Sequence, residues 1–202
     1  QEITERDYRT CQLLAGALQA EKLFSLEDLT WAFVRPKKPT DRPLAYAQSD
    51  WMLEFVAARY GHKAIVAMLE MFRDGVSDAE AITKMTSQSP AAFFEGFKQW
   101  ATEQVRQWGL HSQEPIDGLP TDPAGALNLS DARIAELLAD HPRHVELLRI
   151  AALRALEGPD AEEARRAVLR YAAARPVDPF SYRQLVELAA RTNRPEEMIA
   201  AL

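Results

Sequence analysis

The chain has 202 residues, of which 47% are hydrophobic and 27% charged, and its formal net charge is −6. That length can bury one large core or two small ones. No apolar run approaches the ~18–20 residues that a membrane-spanning helix needs. The acidic balance argues against a nucleic-acid partner, since nonspecific binding there rests on basic surface.

Helical signals dominate from the start. Thr4 to about Leu23 reads as a first helix, weakened by Gly16, with the single cysteine, Cys11, on an apolar stripe beside Leu14 and Leu18. Such a thiol is expected to be buried. Ser25-Leu26-Glu27-Asp28 is a start signal resembling a capping box. The stretch from Arg35 to Pro43, with three prolines and four cations, predicts an exposed, extended loop. A strong helix follows from Leu44 to Tyr60, and Gly61 ends it. The next, His62 to Asp74, carries Ile65, Val66, Met68, Leu69 and Phe72 at 3- and 4-residue steps on an apolar face. Ser77 to Glu80 is another capping box and opens a short helix to about Met85. Ser89-Pro90 starts a helix bearing Phe93, Phe94, Phe97, Trp100, Val105 and Trp108, which stops at Gly109.

Residues 110–129 change character. Prolines 115, 120 and 123 and glycines 118 and 125 predict a linker between two units. Beyond Ser130 the chain turns rich in Ala, Leu and Arg, and a repeat emerges. Pro142 and Pro176 lie 34 residues apart. Leu148, Ala151, Ala152 and Ala155 fall on one helix, and Ala164, Val168, Tyr171 and Ala172 on the next. A second unit begins with Tyr182, Leu185, Val186 and Ala189. Small residues stand where two helices of a pair approach, and proline stands where the second must stop. This pattern, over Ser130 to Leu202, resembles the tetratricopeptide repeat. The usual Trp and Gly positions hold Leu148 and Ala152. The resemblance implies a module that holds a peptide or protein partner on a concave helical face.

Catalytic motifs are scarce. The sequence has no HExxH, GxSxG, P-loop, GxGxxG or CxxC pattern. His141 and His144 form an HxxH interrupted by Pro142, and read as residues of a repeat junction. His62 reads as a helix-start residue and His111 as part of the linker. Glu27, Asp28, Asp78 and Glu80 sit in first helical turns and suit capping and the helix dipole. Arg35, Lys37, Lys38 and Arg42 form a solvated basic loop; gripping a carboxylate or phosphate is the other reading, but no aromatic residues interleave the cations.

A second resemblance covers about Leu13 to Glu103. Its residues are Ala45-Tyr46-Ala47-Gln48-Ser49, Trp51 to Gly61, Ile65 to Leu69, Arg73-Asp74-Gly75, Ala79-Glu80-Ala81 and Ser89 to Trp100. This stretch is similar to the helical half that follows the zinc site in gluzincin metallopeptidases, and best resembles bacterial peptidase-like proteins that also carry tetratricopeptide repeats. In that family two histidines of HExxH and a later glutamate hold the zinc, all N-terminal to this pattern. The resemblance therefore implies no metal ligand and no cofactor in this chain, with zinc in the intact protein. It further implies that Tyr46 matches the family's tyrosine that donates a hydrogen bond to the developing oxyanion. The Glu-Lys-Gly that follows this tyrosine in the clan's aminopeptidases is replaced by Ala47-Gln48-Ser49. Gln48 and Arg42 would flank the same cleft and meet substrate.

The expectation is an all-α chain: a helical bundle over 1–109, a linker over 110–129, and an α-hairpin (tetratricopeptide-like) repeat unit over 130–202. The chain starts at Gln1, and a helical pattern is still running at Leu202. It therefore reads as a piece of a larger zinc-dependent metallopeptidase-like protein, itself noncatalytic, with a repeat module for peptide or protein binding. Whether it is cytoplasmic or exported would depend on residues before Gln1. The alternative is a noncatalytic protein–protein interaction scaffold. A helical domain that binds nucleic acid is the third reading, disfavoured by the charge.

Overall fold

The computed structural model describes residues 6–120, 125 and 128–192, and these form helices with no strand. The all-α expectation holds. Two compact units divide the chain: Arg9–Arg106, and Gln107–Leu202 together with Gln1–Tyr8.

The first unit contains α1 (Tyr8–Gln19, bar its first residue), α2 (Leu26–Val34), α3 (Asp41–Tyr60), α4 (His62–Arg73), α5 (Asp78–Thr86) and nearly all of α6 (Pro90–Gln107). Its helix starts follow local chemistry. The Ser25 hydroxyl accepts the Asp28 amide at 3.0 Å, and Ser77 with Glu80 closes a complete capping box. Gly61 ends α3 at φ +83°, a conformation costly for any residue with a Cβ. Cys11 and Leu14 are buried on α1, as their stripe implies.

The core is aromatic. Trp51 and Phe55 of α3 meet Phe93, Phe97 and Trp100 of α6, with Trp51 edge-on to Phe97 at 5.6 Å and Phe55 against Phe93 at 5.4 Å. Fully burying one such ring stabilises the unit by roughly 2–3 kcal/mol, and edge-to-face pairing adds a little more.

Two local expectations change. The basic loop is shorter than proline content suggests, because α3 already starts at Asp41 and takes Arg42 and Pro43 into its first turn. Proline fits there because first-turn amides need no intrahelical acceptor. Asp41 Oδ2 accepts the amides of Lys37 and Lys38, each at 2.8 Å, which folds the loop back onto the helix start. On α4, only Ala64 is buried, while Val66 and Leu69 are more than half exposed and Phe72 is exposed as well. The apolar periodicity of α4 marks a helix but not a helix sunk in the core.

The second unit holds α7 (Asp131–Asp140), α8 (Val145–Glu157), α9 (Ala161–Ala174) and α10 (Pro179–Arg191), each packed on its neighbour in sequence. Ala152 of α8 and Ala164 of α9 are sealed at the crossing, surrounded by Val145, Leu148, Val168, Tyr171 and Leu188. Small side chains let the two backbones close, so a larger residue at either position would overpack the core.

The 34-residue spacing extends to the backbone. The α7–α8 and α9–α10 connections share one conformation: His141 and Arg175 cap the preceding helices at φ/ψ −126/63° and −139/73°. His144 and Asp178 then cap the following helices at −69/114° and −81/114°. The hydrogen bonds repeat too, His141 N to Leu137 O and Arg175 N to Tyr171 O, then His144 N to His141 O and Asp178 N to Arg175 O. Pro142 and Pro176 each sit directly after the C-cap, where no helical donor is needed.

Of the Pro- and Gly-rich segment expected as a linker, the described residues 110–120 pack within this unit. Gln113 Oε1 accepts the Val145 amide at 3.1 Å, and Leu119 packs beside Ile134 and Ile150. At Gly109, φ is +70°, and a Cβ would strike the Ala174 carbonyl oxygen and lie 2.8 Å from Arg175 Cα. Glycine is required there by both conformation and space.

Candidate functional site

A groove opens in the second unit between α7 and α9, with α8 beneath it, and encloses a cavity of about 560 Å³. That is the size of an ordinary ligand or peptide side-chain site. Its apolar lining comes from Ile134 and Leu138 of α7, Ala151 and Ala155 of α8, and Ala167 of α9. Alanines on α8 and α9 leave the space that larger side chains would fill. The polar lining is uneven. On one side Arg154 holds Asp131 at 3.2 Å and donates to the Leu129 carbonyl at 3.4 Å. On α9, Glu163, Arg166 and Arg170 line the groove, and Arg166 and Arg170 have no ion pair or hydrogen-bonded side-chain partner among the described residues. They are one helical turn apart, on one face.

Below the C-terminal end of α9 lies a polar cluster. The buried Tyr171 hydroxyl donates to Asp178 Oδ2 at 2.5 Å, while Asp178 Oδ1 accepts the Phe180 amide and caps α10. Arg175 reaches Glu146 at 2.9 Å, donates to the Gly109 carbonyl at 3.1 Å and hydrogen-bonds Tyr8. Burial and the bond to Asp178 push the Tyr171 phenol well above its ordinary range. Burial and the Asp178 charge raise Tyr8. Burial opposes the charge on Arg175, but Glu146 and the two phenols outweigh it and hold the guanidinium above its ordinary value. Every group is engaged, so the cluster locks the α9–α10 turn and offers no free nucleophile or base.

The residues singled out by their resemblance to peptidases lie in the first unit and part company. Tyr46 is 64% exposed on α3, with its ring edge-on to Phe33 at 4.8 Å. Arg42, one turn earlier, donates through Nε to the Phe33 carbonyl at 3.3 Å, so Tyr46 and Arg42 share a surface around Phe33. Gln48 does not join them. It is fully buried; its Oε1 accepts the Phe24 amide at 2.9 Å and its Nε2 donates to the Phe24 carbonyl at 2.7 Å. Its amide is consumed in tying α3 to the segment before α2, which leaves nothing to offer a substrate. The periodicity of α3 carried this: Gln48 falls among Leu44, Ala45, Trp51 and Met52 on the buried face.

Comparison with models of known families, with curated proteins and with solved structures gave no match. The site therefore rests on geometry alone. Among the described residues no three His, Cys, Asp or Glu side chains converge to hold a metal ion. His141 and His144 do separate work: His141 is the C-cap of α7, and His144 Nδ1 accepts the Leu147 amide at 3.4 Å as the N-cap of α8. Burial lowers the pKa of His144, which favours the neutral, accepting ring. Sequence reading missed Arg154, Arg166 and Arg170. Their only trace was the i, i+4 pair of arginines in an alanine-rich helix.

Proposed function

We propose that this chain is a noncatalytic part of a peptidase-like protein, and that its second unit is a tetratricopeptide-like module holding a peptide or protein segment. The observation that carries the binding role is the groove over α8, an apolar cavity of about 560 Å³ with charged margins. The recurrence of one turn conformation at 34 residues supports the repeat reading, since stacked equivalent hairpins are how such modules build a binding surface. The test is selection of binders from a random-peptide library on the full chain, followed by measurement on an Ala135→Trp variant. Ala135 lines the groove from an exposed position, so the indole would fill the cavity without touching the core. Binders that lose affinity for this variant support the reading; a library that yields none, or only binders indifferent to the indole, ends it.

The first unit, on the same proposal, backs the cleft of a zinc-dependent metallopeptidase-like protein. Support comes from the exposed pairing of Tyr46 and Arg42 around Phe33, which leaves the phenol open to a neighbouring segment. The intact protein is then expected to carry HExxH and a later glutamate ahead of Gln1. An intact sequence without them would remove the peptidase part and leave the binding module standing.

A further inference from the structure

We infer that the groove over α8 selects an acidic segment of a partner protein, in which two carboxylates flank an apolar side chain and engage Arg166 and Arg170. The inference rests on the peptide-binding reading and adds the chemistry of the occupant. Three observations carry it. Arg166 and Arg170 line the groove and form no ion pair with a described residue, Arg166 only acting through space on the Asp160 carboxylate, whereas the third arginine, Arg154, is already held by Asp131 and Glu157. Together they set two positive charges, outside any ion pair, beside the cavity of a chain whose net charge is −6. Their spacing sets a ruler: residues four apart on a helix are separated by about 6 Å, matched by carboxylates four apart on a helical partner or two apart on an extended one.

The apolar residue between them would enter the pocket of Ile134, Leu138, Ala151 and Ala155. Glu163, one turn before Arg166, repels an acidic residue at its own end and so sets the direction in which the segment lies. A phosphate chain could meet the arginines but would leave the apolar floor unfilled.

The experiment uses the full chain, a phage-displayed random-peptide library, and the variants Ala135→Trp and Arg166→Glu/Arg170→Glu. Both arginines are exposed on α9, so charge reversal is expected to keep the helical circular-dichroism signal. Enriched peptides should carry paired acids at one of the two spacings. They should lose roughly tenfold or more in affinity on charge reversal, the scale of two exposed charge pairs. Selection on the reversed variant should return lysine or arginine at the same spacing. Peptides blocked by Ala135→Trp but lacking paired acids, or indifferent to charge reversal, would overturn this inference while sparing the groove itself. An absence of any groove-directed peptide would overturn both. Displacement of selected peptides by a single-stranded oligonucleotide at equal concentration would also overturn it, in favour of a phosphate ligand.

Discussion

Replacing Tyr171 by Phe removes one hydroxyl from the second unit and nothing else. The ring stays in its place among Leu148, Val168 and Leu188, so no cavity forms. What is lost is the donor to Asp178 Oδ2, and that carboxylate is only 6% exposed. A hydrogen bond to a buried charged group is worth about 1.5–3 kcal/mol, so Tyr171→Phe should destabilise the unit by about 2 kcal/mol. Asp178→Ala removes the same bond and also the cap on Phe180, a further ~1 kcal/mol, for a total near 3 kcal/mol. The double variant should cost about 3 kcal/mol rather than the additive ~5, giving a coupling of about 2 kcal/mol. Urea denaturation of the full chain followed by circular dichroism, with the slope compared across variants, measures all four corners of this cycle. A coupling below about 0.5 kcal/mol would refute the reasoning, because it would mean that the hydroxyl and carboxylate are as well served by water as by each other.

Other outcomes follow from the same contacts. His144 caps α8 only as a neutral ring, and its folded-state pKa lies below the ordinary 6.5. The unfolded chain therefore takes up the proton more readily, so the contribution is present above pH 6.5 and fades as pH falls through the lower folded value. A urea midpoint that drops on acidification in the parent more than in His144→Asn checks this, and parallel curves would count against it. Gly109→Ala should cost about 2 kcal/mol or more, since it combines positive φ with a clash against the α9 C-terminus; an unchanged midpoint would mean that the contact is not held in solution. Gln48→Ala should destabilise the first unit by about 2–4 kcal/mol, because it opens a void and strands the amide and carbonyl of Phe24. A stable Gln48→Ala chain would return that side chain to the pool of surface groups.

Much of the molecule was readable from residue order because the signals are local. Ser25, Ser77 and Ser130 cap helices because a hydroxyl can reach an amide two or three residues on, whatever lies elsewhere. Gly61 ends a helix because only glycine adopts that φ cheaply. The 34-residue recurrence was legible in prolines and small residues, and the turns at His141–His144 and Arg175–Asp178 repeat it in backbone geometry.

Tertiary contact decided the rest. Val66, Leu69 and Phe72 have the periodicity of a core face, yet they are exposed, because periodicity says which residues share a side and not whether anything packs there. Residues 110–119 look like a tether by composition, but Gln113 and Leu119 bind them to helices starting at least twelve residues further on. Gln48 shares the buried face of α3 by periodicity, but only the proximity of Phe24, 24 residues away, shows what its amide is bonded to. The groove itself was invisible in the order of residues. Its lining is drawn from three helices, and Arg166 and Arg170 differ from the chain's many other arginines in facing it.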